Sequence, residues 1–450
     1  MKTIRIGSGA GYSGDRIEPA IELMEKGSLD YIIFECLAER TIALGQKEKR
    51  RDGNKGYNPL LEYRMNKILP QVKEKKIKVI TNMGAANVEA AAQKTVEAAE
   101  RLGLSGIKIA WVTGDDIMDK LDAYYGNTVL ETGDKLERIK GNIISANAYM
   151  GAEGIIEALE NEADVVITGR ISDPALVIGP LVHEFQWDMD RDLDRMGQAT
   201  LAGHLLECAG QVTGGYYADP GYKEVPGLER LGYPFIEIDG SGVFVVTKVE
   251  GSGGLVTEGT CKEQLLYEIH DPRAYYTPDA IADFSGVAFT RAGKDRVKAE
   301  HAVSRGKPET LKVSVGYEDC CIGEGEISYG GSNCMERARL AEEIVRKRLE
   351  LIGAELEEYR CDYIGYNSLY KDKISGALLS GGMPEIRLRI SGRTRDERNA
   401  RLIANEVEAL YTNGPAGGGG VVKRTDRVVS VCSIFVPREE IKAVVRYVEV

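Results

Sequence analysis

Residues 164–174 read Asp164-Val165-Val166-Ile167-Thr168-Gly169-Arg170-Ile171-Ser172-Asp173-Pro174. A short Val/Ile run without alternation is the pattern of a strand covered on both faces, as in a parallel sheet. Behind it stands an exit of glycine, arginine and carboxylate. Working outward, the same alternation of apolar run, polar exit and helical stretch recurs from Thr3 onward. The strand candidates are Thr3 to Ile6, Tyr31 to Phe34, Ile77 to Ile80, Ile107 to Val112, Asn142 to Ala146 and Asp164 to Thr168. Between them, Val88 to Leu102 is rich in Ala and Glu, and Ile155, Ile156 and Leu159 form an apolar stripe at helical spacing. A further helix is expected over Ala199 to Ala209, before the Gly214-Gly215 break. The expected class is α/β, a parallel-sheet N-terminal domain with helices on both faces, over residues 1–234.

After about Pro234 the texture changes to alternating strands and Gly-rich turns, so a second, mixed α+β domain is expected over 235–450. Its last part, about 384–450, reads as strand, long helix and strand, a β-α-β sandwich-like unit.

Parallel strands leave a sheet on one edge, so the residues behind successive strands converge however distant they are in sequence. The exits supply Gly9, Gly11, Ser13, Asp15 and Arg16 after the first strand, Glu35 after the second and Asn82 after the third. The later exits supply Asp115, Asn147, and Arg170 with Asp173. Helix capping accounts for Asp, Asn and Ser taken singly; six such exits together point to a ligand site. Arg16 and Arg170 suit a carboxylate or phosphate, because guanidinium is a planar two-point donor. Asp15, Asp115 and Asp173 are the candidate acids and bases, and Gly9, Gly11, Ser13, Glu35, Asn82 and Asn147 the candidate binding residues. A plainer reading of Arg170 and Asp173 is an ion pair that fixes their loop.

Gly9-Ala10-Gly11-Tyr12-Ser13-Gly14 also has dinucleotide-binding spacing, with Glu35 where a ribose-binding acid would stand. Pro19 belongs at the start of its helix, however, which puts that helix several residues behind Gly14, whereas a pyrophosphate needs it directly behind the glycines. An NAD(P)-dependent oxidoreductase is therefore only an alternative.

The composition, 43% hydrophobic and 28% charged, is that of a globular protein. A net charge of −12 argues against nucleic acid as a partner. The chain opens on a strand-like run and has no apolar stretch of bilayer length, so a cytoplasmic protein with no membrane association is expected. The scattered cysteines, Cys320-Cys321 included, show no Cys-x-x-Cys pair and read as reduced thiols. The four histidines show no zinc spacing. Asp115-Asp116, or His204 with Glu207 one helical turn on, could meet a divalent metal, a use the sequence leaves open; between Leu201, Leu205 and Leu206, His204 also reads as a packed core residue. The basic run Lys47, Lys49, Arg50 and Arg51 could meet coenzyme A phosphates or be a solvated face.

Gly7-Ser8-Gly9-Ala10-Gly11 through Asp15-Arg16, Gly169 through Pro174, and Gly203-His204-Leu205-Leu206-Glu207-Cys208 with Gln211-Val212-Thr213-Gly214-Gly215 resemble the acyclic terpene utilisation AtuA family, over nearly the whole chain. The resemblance implies a role in catabolism of branched acyl-CoAs and carboxylic acids and adds His204, as a catalytic candidate, with Glu207 and Gln211 to the site. Longer family members carry a ferredoxin-like carboxyl-terminal domain, which a separate small partner protein would supply here. The expected function is an enzyme of lyase or hydratase type acting on an acyl-CoA or a small carboxylic acid. No cofactor is predicted beyond coenzyme A as part of the substrate, and a homo-oligomer is expected. The other class of reading is a non-catalytic acyl-CoA- or acid-binding subunit of a complex.

Overall fold

A computed structural model describes residues 2–378 and 383–450. The chain folds as two compact units, residues 1–316 with 431–450, and residues 317–430.

The first unit opens with β1 (Thr3–Ala10), α1 (Glu18–Lys26), β2 (Tyr31–Phe34), α2 (Glu39–Arg51), α3 (Leu61–Lys75), β3 (Lys78–Thr81), α4 (Val88–Arg101) and β4 (Lys108–Thr113). There follow β5 (Ile143–Ala148), α5 (Glu153–Glu160), β6 (Val165–Thr168), α6 (Ala175–Phe185), α7 (Leu193–Glu207), β7 (Pro234–Asp239), β8 (Phe244–Lys248) and α8 (Glu258–Leu266). Short strands β9 (Tyr275–Tyr276), β10 (Ile281–Asp283), β11 (Ala288–Gly293), β12 (Arg296–Glu300) and β13 (Val303–Ser304) lead into β14 (Thr310–Gly330), whose residues 310–316 belong to this unit.

The second unit holds the rest of β14, then α9 (Cys334–Leu351), β15 (Glu358–Ile364), α10 (Lys371–Leu378), β16 (Glu385–Thr394), α11 (Glu397–Asn413) and most of β17 (Gly418–Pro437). Its strands stand in the order β15-β16-β14-β17. Ala338, Ala341 and Val345 of α9 and Ile403 and Val407 of α11 pack on Leu388 and Ile390 of β16. The strand and long helix expected from about residue 384 are β16 and α11. The chain then returns to the first unit with β18 (Val444–Glu449).

The first unit is built on a ten-stranded sheet, in the order β11-β12-β8-β7-β1-β2-β3-β6-β4-β18. Strands β1, β2, β3, β6 and β4 run parallel; β7 joins β1 antiparallel, and β18 joins β4 antiparallel. Strand side chains alternate between faces, so Tyr31 and Ile33 pack with α5, α6 and α7, while Ile32 and Phe34 pack with α1, α3 and α4. Each such buried side chain contributes about 1.5–3 kcal/mol, which fixes the register of these strands.

Two expectations change. The boundary expected near Pro234 marks instead a switch from parallel to antiparallel pairing inside the first unit, because β7 and β8 extend the β1 edge of the same sheet. The run expected as a fifth parallel strand becomes β5, which pairs with β14 outside the main sheet. There the Gly316 N–H donates to Ser145 Oγ at 3.2 Å and the Tyr149 N–H to the Lys312 carbonyl at 2.8 Å.

Candidate functional site

Strand β1 runs on through Gly7, Ser8 and Gly9, which had been expected as loop. A side chain at Gly9 would place its Cβ 2.6 Å from the Phe34 ring, so this glycine serves packing between β1 and β2. The exit begins at Gly11, where a Cβ would lie 2.5 Å from the Cys208 carbonyl carbon at the end of α7. Backbone therefore passes backbone there, which only glycine permits. Asp15 ties the turn: Oδ2 accepts from the Gly11 N–H at 2.9 Å, and Oδ1 accepts from the Arg16 N–H at 2.8 Å and from the Tyr233 hydroxyl. Ser13 Oγ accepts from Asn58 Nδ2 at 3.0 Å. Helix α1 starts only at Glu18, with Pro19 in its first turn, so no helix N-terminus stands directly behind the glycines.

Behind β6, Arg170 is 1% exposed. Its Nη1 donates to the Leu37 carbonyl and, at 3.3 Å, to Asp173 Oδ1, while its guanidinium carbon lies 3.9 Å from the centroid of the Tyr149 ring. The Tyr149 hydroxyl donates to Glu39, which also pairs with Lys312 at 3.0 Å. Burial opposes ionisation of Glu39, yet Arg170 and Lys312 hold its carboxyl down at about 2. Asp173 goes the other way. Burial, only partly offset by Arg170, raises it to about 7. Glu35 is raised too, first by burial and then by the charge of Asp173, although its Oε1 accepts from the Leu37 N–H at 2.8 Å and from Asn82 Nδ2 at 3.0 Å.

Asp115 sits one layer further in. Its Oδ2 accepts from Asn147 Nδ2 at 2.8 Å and from the Arg170 N–H at 3.0 Å, and burial raises its pKa to about 6. Asn147 reaches it from β5 through a bridge with Asp116, not from an edge of the main sheet. His204 is wholly buried on α7, with Nδ1 2.8 Å from Glu207 Oε1.

These groups surround a cavity of about 1110 Å³. Of the residues expected from sequence, Gly11, Ser13, Asp15, Glu35, Arg170 and Asp173 line it, as do Glu207 and Gln211, which the family resemblance added. Gly9, Asn82, Asp115, Asn147 and His204 stand behind the wall, and Arg16 turns away to the Glu229 carbonyl and Glu18. The strand-end reading missed Glu39, Tyr149, Lys312, Tyr275 and Glu268, all of which line it. Glu39 lay within reach, five residues past the end of β2, but Lys312 comes from a distant strand and has no local signal.

The acyclic terpene utilisation AtuA family matches residues 4–447. The chain belongs to this family. Its name ties it to acyclic terpene utilisation, and so to a catabolic role. Comparison with curated proteins gives no match. One solved structure, the aspartate kinase of Clostridium acetobutylicum, aligns at 11% identity over 89% of this chain and 98% of its own, with a TM-score of 0.16, a likeness too weak to carry an argument. Among the described residues of this family member, no helix is long and apolar enough to cross a membrane. Nor does any group of three or more His, Cys, Asp or Glu among them form a metal site.

Proposed function

We propose that this AtuA-family protein is an enzyme that moves protons at an acyl thioester of coenzyme A, adding or removing water or cleaving a carbon–carbon bond beside the carbonyl. The observation that carries the reading is Asp173: it faces the cavity, touches the buried Arg170, and has a pKa of about 7. An acid with that pKa can give or take a proton at neutral pH, which an ordinary carboxylate cannot. With Glu35 raised beside it, the pair titrates as a unit.

Charge selects the thioester over a free acid. Six carboxylates line the cavity, Asp15, Glu35, Glu39, Asp173, Glu207 and Glu268, against two cations. Both cations already hold a carboxylate, Arg170 that of Asp173 and Lys312 that of Glu39. An anionic head group would meet net negative charge and no unpaired cation, whereas a thioester carbonyl is neutral. The phosphates of the coenzyme stay outside the cavity in this reading.

Thermal-shift measurements against acyl-CoAs, dicarboxylates, nucleotides and divalent metals test it, since a ligand of the native state raises Tm. Acyl-CoAs should stabilise the protein, and NMR of the hits should show product. Stabilisation by free dicarboxylates but not by thioesters would refute the choice of substrate. An acyl-CoA bound and left unchanged, even with a small partner protein added, would mark a binding subunit instead.

A further inference from the structure

Helix α7 ends on two side chains that this acid/base reading leaves unused. His204 Nε2 lies 3.2 Å from the Leu265 carbonyl oxygen, and Nδ1 lies 2.8 Å from Glu207 Oε1. A carbonyl oxygen only accepts, so Nε2 carries a hydrogen. A neutral ring would then turn the lone pair of Nδ1 toward Glu207, and two acceptors cannot meet at that distance. One more proton therefore lies between Nδ1 and Oε1.

The surroundings favour the ring as its owner. The Tyr275 and Phe284 rings stand 5.3 and 5.9 Å from the imidazole, an arrangement that favours a cation. Burial opposes a charged ring, but Glu207, the Leu265 carbonyl and Glu268, beyond α8, together outweigh it and raise the pKa of His204. The other oxygen of Glu207, Oε2, is buried with no hydrogen-bond partner, and Glu207 lines the cavity. A buried carboxylate oxygen left without a partner, on a residue of the cavity wall, is costly to keep unless it has a use.

We infer that Glu207 is the base of this cavity, taking a proton at Oε2, while His204, protonated on both ring nitrogens, positions Oε1 and offsets its charge. The inference rests on the thioester reading for the source of the proton, though not for the state of the pair. With a 3-hydroxyacyl thioester the step balances as follows. Glu207 Oε2 takes the hydrogen next to the carbonyl, the C–H electron pair becomes the new C=C bond, and the C–O bond at the third carbon breaks. The departing hydroxide takes the proton of Asp173 and leaves as water. Transfer of the proton from Glu207 to Asp173 through water resets the site. Glu207 would be the catalytic residue, and His204 a positioning residue.

Histidine-¹⁵N NMR tests the pair without any substrate, because the chain has only four histidines. The His204 signal, identified by its loss in H204Q, should show two protonated ring nitrogens at pH 7, and only one in E207Q. One protonated nitrogen in the native protein would overturn the inference. The second arm follows hydration of crotonyl-CoA and exchange of deuterium from D₂O into butyryl-CoA. E207Q should lower both rates about a hundred-fold or more through kcat rather than KM, with Tm retained; unchanged rates would also overturn it. Should the native protein act on neither thioester, the thioester reading fails, and the NMR result alone decides the pair. Should E207Q not fold, the spectrum of the native protein still decides.

Discussion

Replacing Asp115 by asparagine isolates what it costs to keep a carboxylate behind the cavity wall. Asp115 is 6% exposed, accepts from Asn147 and from the backbone of Arg170, and has its pKa raised by burial from 3.8 to about 6. That difference corresponds to about 3 kcal/mol. Below pH 3.8 the group is protonated in both folded and unfolded chains, and the cost vanishes. As the pH rises, the unfolded chain ionises first, so the penalty grows and is complete above about pH 6. Asparagine keeps the size and an acceptor but brings amide hydrogens, and one left unpaired takes back about 1 kcal/mol. D115N should therefore be more stable than the native protein by about 2 kcal/mol at pH 7.5, and that gain should fall to about zero at pH 4.5. Urea unfolding followed by tryptophan fluorescence measures it, because Trp111 and Trp187 both belong to the first unit. A gain that does not shrink on acidification would show that it does not come from ionisation of Asp115, and a loss at pH 7.5 would show that the ionised carboxylate is what the fold requires.

Alanine at Gly11 would drive a Cβ into the backbone of Cys208, so G11A should lose about 1–3 kcal/mol in the same assay, while G53A, with nothing within 4 Å, should stay within about 0.5 kcal/mol. R170M removes the cation that Glu39 and Asp173 face. A drop of about 3–5 kcal/mol, seen as a lower Tm, is expected from the charges left buried, and an unchanged Tm would contradict the pairing described. For D173N, turnover of the acyl-CoA found by screening should fall about 10²–10⁴-fold. In the native protein the acid form of the pair is lost as the pH rises through about 7, so the rate of the proposed reaction should decline on the alkaline side with a midpoint near there. A flat profile through that range would remove Asp173 from the chemistry.

The parallel strands were legible because Ile and Val runs buried on both faces leave little else for residues such as Tyr31–Phe34 and Val165–Thr168 to be. The end of β1 was not. Gly7, Ser8 and Gly9 look like loop by propensity, but the side chains of Leu29 and Phe34 fill the space left where Gly7 and Gly9 have no Cβ. Strand β5 was found and wrongly paired, since the run at 143–148 says how apolar the strand is and nothing of its partner, which arrives only at β14. The convergence of exits brought Gly11, Ser13, Asp15, Glu35, Arg170 and Asp173 to one cavity. It could not separate wall from interior: Asp115 and Asn147 belong to the same edge by sequence, and only three-dimensional packing puts them behind Arg170.

That layering changes what Arg170 means. In the sequence, an arginine in an exit loop reads as an anchor for an anionic ligand. In the structure its guanidinium is held by the Leu37 carbonyl, Asp173 and the Tyr149 ring before any ligand arrives. Its effect is to divide like groups into unlike ones. Glu39, facing Arg170 and Lys312 together, is held at about 2 and is a fixed charge, whereas Asp173, with burial prevailing over the same guanidinium, sits near 7. Two carboxyl groups around one arginine are thus pushed several pH units apart, the condition under which one member of a set of acids can exchange protons while its neighbour stays ionised. Moving that cation, and not merely removing it, should redistribute the protons. R170K, which keeps the charge but loses the planar stack on Tyr149, should move the alkaline limb of the rate profile; a limb left unmoved would mean that burial alone sets Asp173.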